Sequence, residues 1–484
     1  MDPGPWLAET LKLLRTRRAA DALALLARAP TGLRDHPRVR ARYAYAYGMT
    51  GRIQDAIAAA RLAMASAELD KADLDLVGNA LVLCHRPALA HEAFQRALDQ
   101  SPHDIGALFN LAASARFMGQ AEAAETLYDR LIAQAPDVWE AYRNRSELRR
   151  QTTARNHIAE LTRRLAAGPP PRGEVQLRYA LGKEYEDLGE FERAFEAFAA
   201  GARTRRRNMR YDVGEDIAAL DLIRATFDEG YCAPARVREA APGPIFIVGL
   251  PRTGSTLLER MLGRHSQIQP LGELQTFASA LVKTTVASSP TRPGGKADLI
   301  QASATTPPGA IGEAYLEGVR PLRDARPFFI DKLPLNALYV GAIARALPCA
   351  RIVHLTREPA DACVAIFKTL FDEAYPFSYD LKELGTYFNA HQALMAHWRG
   401  ALGPRLIETR YEDLTQAPEA TLKALFEALD LDLEPDCLRP EDDAAPVMTA
   451  SASQVRDPIN TRSVKIAERY APWIEPLLEV LEAH

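Results

Sequence analysis

Long apolar runs are missing from this chain of 484 residues. No stretch approaches the roughly 20 apolar residues that a bilayer-spanning helix needs. The N-terminal MDPGPWLAETLKLLRTRR lacks the uninterrupted apolar core of a secretory signal. Cysteine is scarce. The five present (Cys84, Cys232, Cys349, Cys363 and Cys437) are scattered, odd in number and never spaced CxxC. They predict reduced, mostly buried thiols in place of a disulfide framework or a paired-cysteine metal site. Neither sign of charge is in excess, with 59 Lys and Arg against 63 Asp and Glu and a formal net charge of −4. That balance argues against a nucleic-acid coat protein or a polybasic membrane binder, while leaving room for a local basic pocket. What remains is ordinary: 47% hydrophobic and 25% charged residues, enough to bury real cores. At about 150 residues per domain the length suggests two to four domains. The expectation is a cytoplasmic multi-domain protein with no membrane span and no nucleic-acid partner.

Self-similarity organises the first half. The window from Ile105 to Val138 carries Leu108, Leu111, Ala115, Gly119, Ala124, Tyr128 and Pro136. Shifted back 34 residues it meets Leu74, Val77, Leu81, Ala90, Phe94 and Pro102, and 34 further back Tyr43, Tyr47, Gly51 and Ala56. This period and residue character resemble the tetratricopeptide repeat, a helix-turn-helix unit. Small residues at Ala56, Ala90 and Ala124 would let paired helices approach. Phe94 and Tyr128, four positions later, would fill the groove to the next repeat, and Gly51 and Gly119 would serve the turn. Another unit is expected at Val175 to Asn208, a weaker copy near Trp6, and a distorted stretch around Trp139 to Arg172. The reading is therefore a repeat array over 1–208, a helical linker over 209–240 and a further domain over 241–484. In the last, the runs IFIVGL, FFID, ARIVHLT and RLIETR alternate with helical patterns, which predicts a parallel sheet covered by helices.

The most informative segment is PIFIVGLPRTGSTLLERML, residues 244–262. An apolar strand enters a Gly/Pro turn that opens an amphipathic helix, so backbone N–H groups and the helix dipole converge on one anion-binding point. Gly254 permits close approach, Thr253, Ser255 and Thr256 offer hydroxyls, and Arg252 offers a charged fork. The Gly249-x-x-x-x-Gly254 spacing matches a nucleotide-binding P-loop, but Ser255 stands where an NTPase has its lysine.

GLPRTGSTLLERML resembles the 5′-phosphosulfate loop of PAPS-dependent sulfotransferases (PAPS being 3′-phosphoadenosine 5′-phosphosulfate), especially the protein-tyrosine sulfotransferase-like group, whose bacterial members often carry N-terminal tetratricopeptide repeats. The resemblance runs from about Pro244 to Tyr470. It implies an α-helical repeat solenoid followed by an α/β, P-loop-like sulfotransferase domain, with PAPS as sulfuryl donor and no metal. Through PLGEL it places Glu273 on the family's catalytic base, and through FFIDKLPLN it places Lys332 on the transition-state lysine. RIVHLTREPADACVAIFK puts Arg357 on the 3′-phosphate arginine, RYEDL puts Tyr411 on a cofactor-contacting tyrosine, and TASASQVRDPIN puts Ser451 on a transition-state serine. Arg252 would serve both donor binding and catalysis. The family commonly has a serine eight positions after the arginine; here it is Ala365, and Lys368 on the same expected helix is the candidate substitute. His265 and His354 are competing bases, the latter within an expected strand. The function so implied is sulfuryl transfer to an acceptor hydroxyl, a tyrosine of a peptide or protein being one candidate, with the concave face of the repeats recruiting the acceptor. Two other readings stay open: a P-loop kinase or NTPase, and a non-catalytic repeat scaffold with a degenerate sulfotransferase domain.

Overall fold

The computed structural model describes residues 4–371, 373–443 and 458–483. The chain divides into two compact units, and the division falls after Arg150.

In the first unit the expected register is visible in the helices themselves. Pro37–Met49, Lys71–Leu83 and Ile105–Phe117 start 34 residues apart, as do their partners Ile53–Met64, Pro87–Gln100 and Ala121–Gln134. Gly4–Arg15 and Ala19–Ala27 form the expected N-terminal copy, and Trp139–Ser146 opens a fifth repeat that does not continue in register. The turn between paired helices needs one residue in the left-handed region. Gly51 and Gly119 supply it, with φ of 75° and 77°, and Arg17 and His85 adopt the same conformation at equivalent positions. Phe94 is buried. It lies against its own hairpin partner, where a Cβ on Gly78 would sit 2.3 Å from the ring. Gly78 thus makes room for the ring.

The second unit is built on a five-stranded parallel sheet of order β2-β3-β1-β4-β5. The strands are β1 (Pro244–Gly249), β2 (Ile268–Pro270), β3 (Phe328–Lys332), β4 (Arg351–Thr356) and β5 (Leu406–Arg410). Four match the apolar runs of the sequence; β2 is only three residues long and gave no periodic signal. One face of the sheet (Ile245, Ile247, Ile330, Val353 and Leu355) packs on Leu258, Met261 and Leu262 of the helix Ser255–Gly263 and on Leu422, Leu425 and Phe426 of Pro418–Ala428. The opposite face carries Phe246 and Phe329 against Phe277 and Tyr315, with ring centroids 5.5–6.4 Å apart. Covering both faces with apolar helices is what makes continuous apolar strands possible.

The last repeat-like hairpin belongs to this second unit. Pro171–Asp187 and Phe191–Arg207 are longer than the helices of the first unit and are packed onto the sheet's own helices. Phe195 stacks between Phe367 and Trp473 at 6.0 and 5.9 Å, and Phe191 meets the edge of Tyr470 at 5.6 Å. Val213–Thr226, within the segment read as a linker, is likewise part of this unit. A solenoid hairpin buries its apolar face against whatever is adjacent. Here the adjacent surface is the α/β body, so compactness changes at 150 although the sequence pattern changes near 240.

Candidate active site

Strand order fixes where a ligand can sit. β1 is central, the chain turns outward to β3 on one side and to β4 on the other, and a crevice opens beyond the carboxyl end of β1 at that switch point. The segment leaving β1 into this crevice is the PRTGS loop. Gly254 caps the helix Ser255–Gly263 with φ 97° and provides no side-chain cap, so the first helical N–H groups face the crevice. Thr253 spends its hydroxyl inside the turn, donating to the Leu250 carbonyl at 2.9 Å. Ser255 and Thr256 are buried at the helix start, and Arg252 sits at φ 64°, partly exposed.

One wall comes from β3. Lys332 ends that strand opposite Ile247 of β1 and is fully buried. The turn after β2 runs alongside, with the Lys332 N–H donating to the Gly272 carbonyl at 3.0 Å. Glu273 follows that contact and is thereby delivered to the lysine: Lys332 Nζ donates to Glu273 Oε1 at 2.6 Å. The Glu273 side chain is 46% exposed while its partner is 0% exposed, so the carboxylate faces outward over a sequestered ammonium. A second carboxylate, Glu259 of the loop helix, lies 3.7 Å from the same Nζ and accepts the Gly272 N–H at 2.9 Å. Burial pushes the Glu259 carboxyl up; Lys332 pulls it back and Glu273 adds to the rise. Behind Lys332 on the strand, Asp331 is pushed up to about 8 by burial, against hydrogen bonds from Tyr315 Oη at 3.1 Å and Asn336 Nδ2 at 3.2 Å.

The other wall comes from β4. Arg357 follows that strand and is 8% exposed. Its Nη1 donates to the Arg252 carbonyl at 2.8 Å, its Nη2 donates to the Ser463 carbonyl, and its guanidinium lies 4.7 Å over the Tyr411 ring. Burial lowers its pKa. Arg357 Nε is buried and has no hydrogen-bond partner among the described residues. Tyr411 in turn packs on the loop, since a Cβ on Gly254 would fall 2.4 Å from the tyrosine's Cδ2. Loop, arginine and tyrosine are therefore one assembly.

Lys368 pairs with Glu186 of the repeat-like hairpin and sits 5.4 Å from the Tyr470 ring centroid, which gives its ammonium a structural employment. Ala365 lies on Pro359–Phe367, and its carbonyl accepts from the Thr369 hydroxyl at 2.9 Å. Ser451 lies outside the described residues. Both competing histidines are engaged. His265 accepts the Gln267 N–H at Nδ1 and meets the Asp432 carbonyl at Nε2, 3.1 Å away. His354 is buried in β4 with Nδ1 3.0 Å from Glu408. Sequence reasoning missed Glu259. Its signal was present, because it lies one helical turn beyond Ser255 and so on the same face of the helix as the loop.

A parallel sheet with an anion-binding loop at its switch point, walled by a Lys–Glu pair and an arginine, is the arrangement of a P-loop-like group-transfer domain. Residues 244–435 match the sulfotransferase family model and residues 85–144 the tetratricopeptide repeat model. An "Uncharacterized protein" of Aquifex aeolicus (strain VF5) is 27% identical over 400 residues, 81% of this chain, and the chain spans 52% of that relative's length. A Caenorhabditis briggsae protein named "Putative protein-tyrosine sulfotransferase" is 23% identical over 238 residues, 46% of this chain and 79% of its own. Among solved structures, the sulfotransferase domain from the curacin biosynthetic pathway aligns with 51% of this chain and 98% of its own at 19% identity and a TM-score of 0.33. Among the described residues no helix is long and apolar enough to cross a membrane, and no group of three or more His, Cys, Asp or Glu could hold a metal ion.

Proposed function

We propose that this chain transfers a sulfuryl group from PAPS to an acceptor hydroxyl, a tyrosine of a peptide or protein being the favoured acceptor. The observation that carries the reading is the Glu273–Lys332 pair, 2.6 Å apart, across the switch point from Arg357. The residues fit such a donor. The uncapped helix start suits a phosphate or sulfate oxygen, and the buried, unpartnered Arg357 Nε suits a further anion. Arg252, Ser255 and Thr256 with the loop N–H groups would hold the 5′ end, and Arg357 the 3′-phosphate. Tyr411 would shape the wall through Gly254 and Arg357. Lys368 has a smaller part in this proposal than its position suggests, because Glu186 holds it.

When bound, PAPS supplies a sulfuryl group carried on a phosphate leaving group. The chain's residues supply the rest by position and charge. Half-exposed Glu273 is reachable by an acceptor and can take the proton of its hydroxyl, which a phenol of pKa about 10 gives up more readily than an alcohol. Lys332 orients the Glu273 carboxylate and keeps positive charge at the crevice. An aromatic acceptor is favoured by Tyr375, which lies 4.8 Å from Phe371 and 6.0 Å from Phe377. Its phenol is pushed up by burial and then by the charge of Glu273. The name borne by the Caenorhabditis briggsae relative supports the same acceptor class. The repeats of the first unit would recruit a macromolecular acceptor.

The test is transfer from sulfur-labelled PAPS to a panel of tyrosyl peptides, phenols, saccharides and lipids, with PAP (the desulfated product nucleotide) and ATP compared by calorimetry. Transfer to an aryl hydroxyl, with ATP binding much more weakly than PAP, is expected. Equal affinity for ATP and PAP would remove the reading. Glu273→Gln should keep PAP affinity and lose roughly 10²–10⁴-fold in turnover.

A further inference from the structure

The buried end of the Lys332 side chain has a charge inventory that the acid–base step would unbalance. Lys332 Nζ is wholly enclosed, and two glutamates reach it: Glu273 at 2.6 Å, outward and half exposed, and Glu259 at 3.7 Å, inward and 9% exposed. When Glu273 takes a proton from an acceptor hydroxyl it becomes neutral, and the ammonium loses its nearest counter-charge. A fully buried ammonium without a carboxylate sheds its proton, its pKa falling by about 3–5 units. Asp331 offers little replacement, since burial holds it largely protonated near neutrality and its oxygens accept from Tyr315 and Asn336. Among the described residues, Glu259 is the carboxylate placed to take over.

We propose that Glu259 is a positioning residue for this site: it keeps Lys332 charged while Glu273 carries the acceptor's proton, and it therefore acts on turnover through the lysine. This rests on the function proposed above. The step balances. The acceptor O–H bond breaks and its proton goes to Glu273; the acceptor oxygen forms a bond to sulfur as the sulfur–oxygen bond to the phosphate breaks, and the bonding pair leaves with the phosphate. Lys332 gains and loses no proton, and that constancy is Glu259's contribution. The groups facing Glu259 are Lys332, Glu273 and Asp331 together with the Gly272 N–H, whose bond an amide oxygen at position 259 could also accept.

The decisive experiment reads Lys332 directly, by NMR titration of the full chain labelled with carbon-13 at the lysine Cε, without nucleotide, the resonance being assigned by Lys332→Arg. Glu273→Gln imitates the protonated glutamate. In that variant Lys332 should still be charged at pH 7, and in Glu259→Gln/Glu273→Gln it should titrate roughly 2–4 units lower. A Lys332 that titrates alike in the two variants, or is already neutral at pH 7 in Glu273→Gln alone, overturns the proposal. The single-variant measurement decides the matter even if the double variant does not fold. In turnover assays with PAPS and p-nitrophenol, Glu259→Gln should lower kcat by about tenfold or more with KM and PAP affinity near wild type, and Glu259→Asp should recover part of it. The alkaline limb of its pH profile should move to lower pH, because Lys332 loses its proton sooner once the carboxylate 3.7 Å away is gone. A Glu259→Gln enzyme with wild-type kcat and pH profile assigns the carboxylate to holding the Gly272 turn and overturns the proposal. Failure of the wild-type chain to bind PAP or use PAPS would defeat the proposed function instead, with the lysine titration still deciding this one.

Discussion

Replacing Gly254 by alanine tests whether the loop, Tyr411 and Arg357 form one assembly. Two costs can be worked from the geometry. The residue sits at φ 97° and ψ 10°, where an L side chain is strained by about 1–2 kcal/mol. The added Cβ would also lie 2.4 Å from Tyr411 Cδ2 and 2.9 Å from Cε2, so the ring must move. It has little room, being buried, with the Arg357 guanidinium 4.7 Å above it. Overpacking of this kind costs about 1–3 kcal/mol. The total of about 2–5 kcal/mol should appear partly as a lower urea midpoint and partly as loop distortion. If the steric share falls on the loop, PAP affinity drops by about 5- to 150-fold. A double-mutant cycle separates the two costs. In a Tyr411→Ala background only the dihedral cost remains, so the coupling energy should be about 1–3 kcal/mol. Additive effects, or a Gly254→Ala protein that binds PAP as the wild type does, would refute the stacking of ring on glycine.

Three further outcomes are expected. Arg357→Ala should weaken PAP more than a nucleotide lacking the 3′-phosphate, but both should weaken, because the arginine also holds the Arg252 carbonyl; calorimetry with the two ligands checks this, and equal losses would confine Arg357 to holding the loop. Glu408 is pulled down to about 2, first by its hydrogen bond with His354 and then by Arg399, so its stabilisation is full above the ordinary glutamate range and is lost as pH falls through about 2. Wild-type urea stability should therefore fall more steeply than that of Glu408→Gln between about pH 4.5 and 2, and parallel slopes would count against the pairing. A chain beginning at Gln151 should fold and keep PAP affinity, with a lower kcat/KM for peptide acceptors only, whereas one beginning near 209 should aggregate; the reverse pattern, by light scattering and calorimetry, would show that the hairpin is dispensable.

The repeat period and the parallel sheet were legible because both rest on local pattern. Thirty-four-residue recurrence survives even where Arg17 and His85 replace the turn glycine, since the backbone conformation is imposed by the paired helices around it. Four strands announced themselves as apolar runs. β2 did not, because three residues carry no periodicity and its pairing with β3 is set by the turn that follows. At the site, the loop could be read from composition and order alone. Glu273, Lys332 and Arg357 could not; their selection came from resemblance, and the strand order is what brings the first two together and sets the third across from them. Lys368 shows the limit of helical spacing as a guide. The register puts it three residues beyond Ala365, but the partner that decides its employment, Glu186, lies 182 residues away in the chain.

That long-range pair bears on why the hairpin Pro171–Arg207 stays with the sheet. Its internal packing is that of a repeat: a Cβ on Gly182 would fall 2.6 Å from Phe198, as one on Gly78 would fall 2.3 Å from Phe94, and Gly189 turns the chain at φ 81°. Its outward face differs. Phe191 and Phe195 enter the aromatic set of Phe367, Tyr470 and Trp473, and Arg206 pairs with Glu383 at 2.7 Å. Glu186 neutralises Lys368 one residue beyond the helix that carries Ala365. Without the hairpin, Lys368 would be a free cation close to the region read as the 3′-phosphate pocket, and Phe367 would be bare. The hairpin thus completes the α/β unit in both packing and charge. That pair is a physical reason for Lys368 not to stand in for the hydroxyl that Ala365 lacks: the lysine already has a partner, and in the proposed function donor binding falls to Arg357 and the loop. Ala365→Ser should accordingly strengthen PAP binding, by at most the 1.5–3 kcal/mol, roughly, of a hydrogen bond to a charged group. Unchanged PAP affinity in that variant would show that position 365 does not face the nucleotide, and the argument from the hairpin's charge would then stand on packing alone.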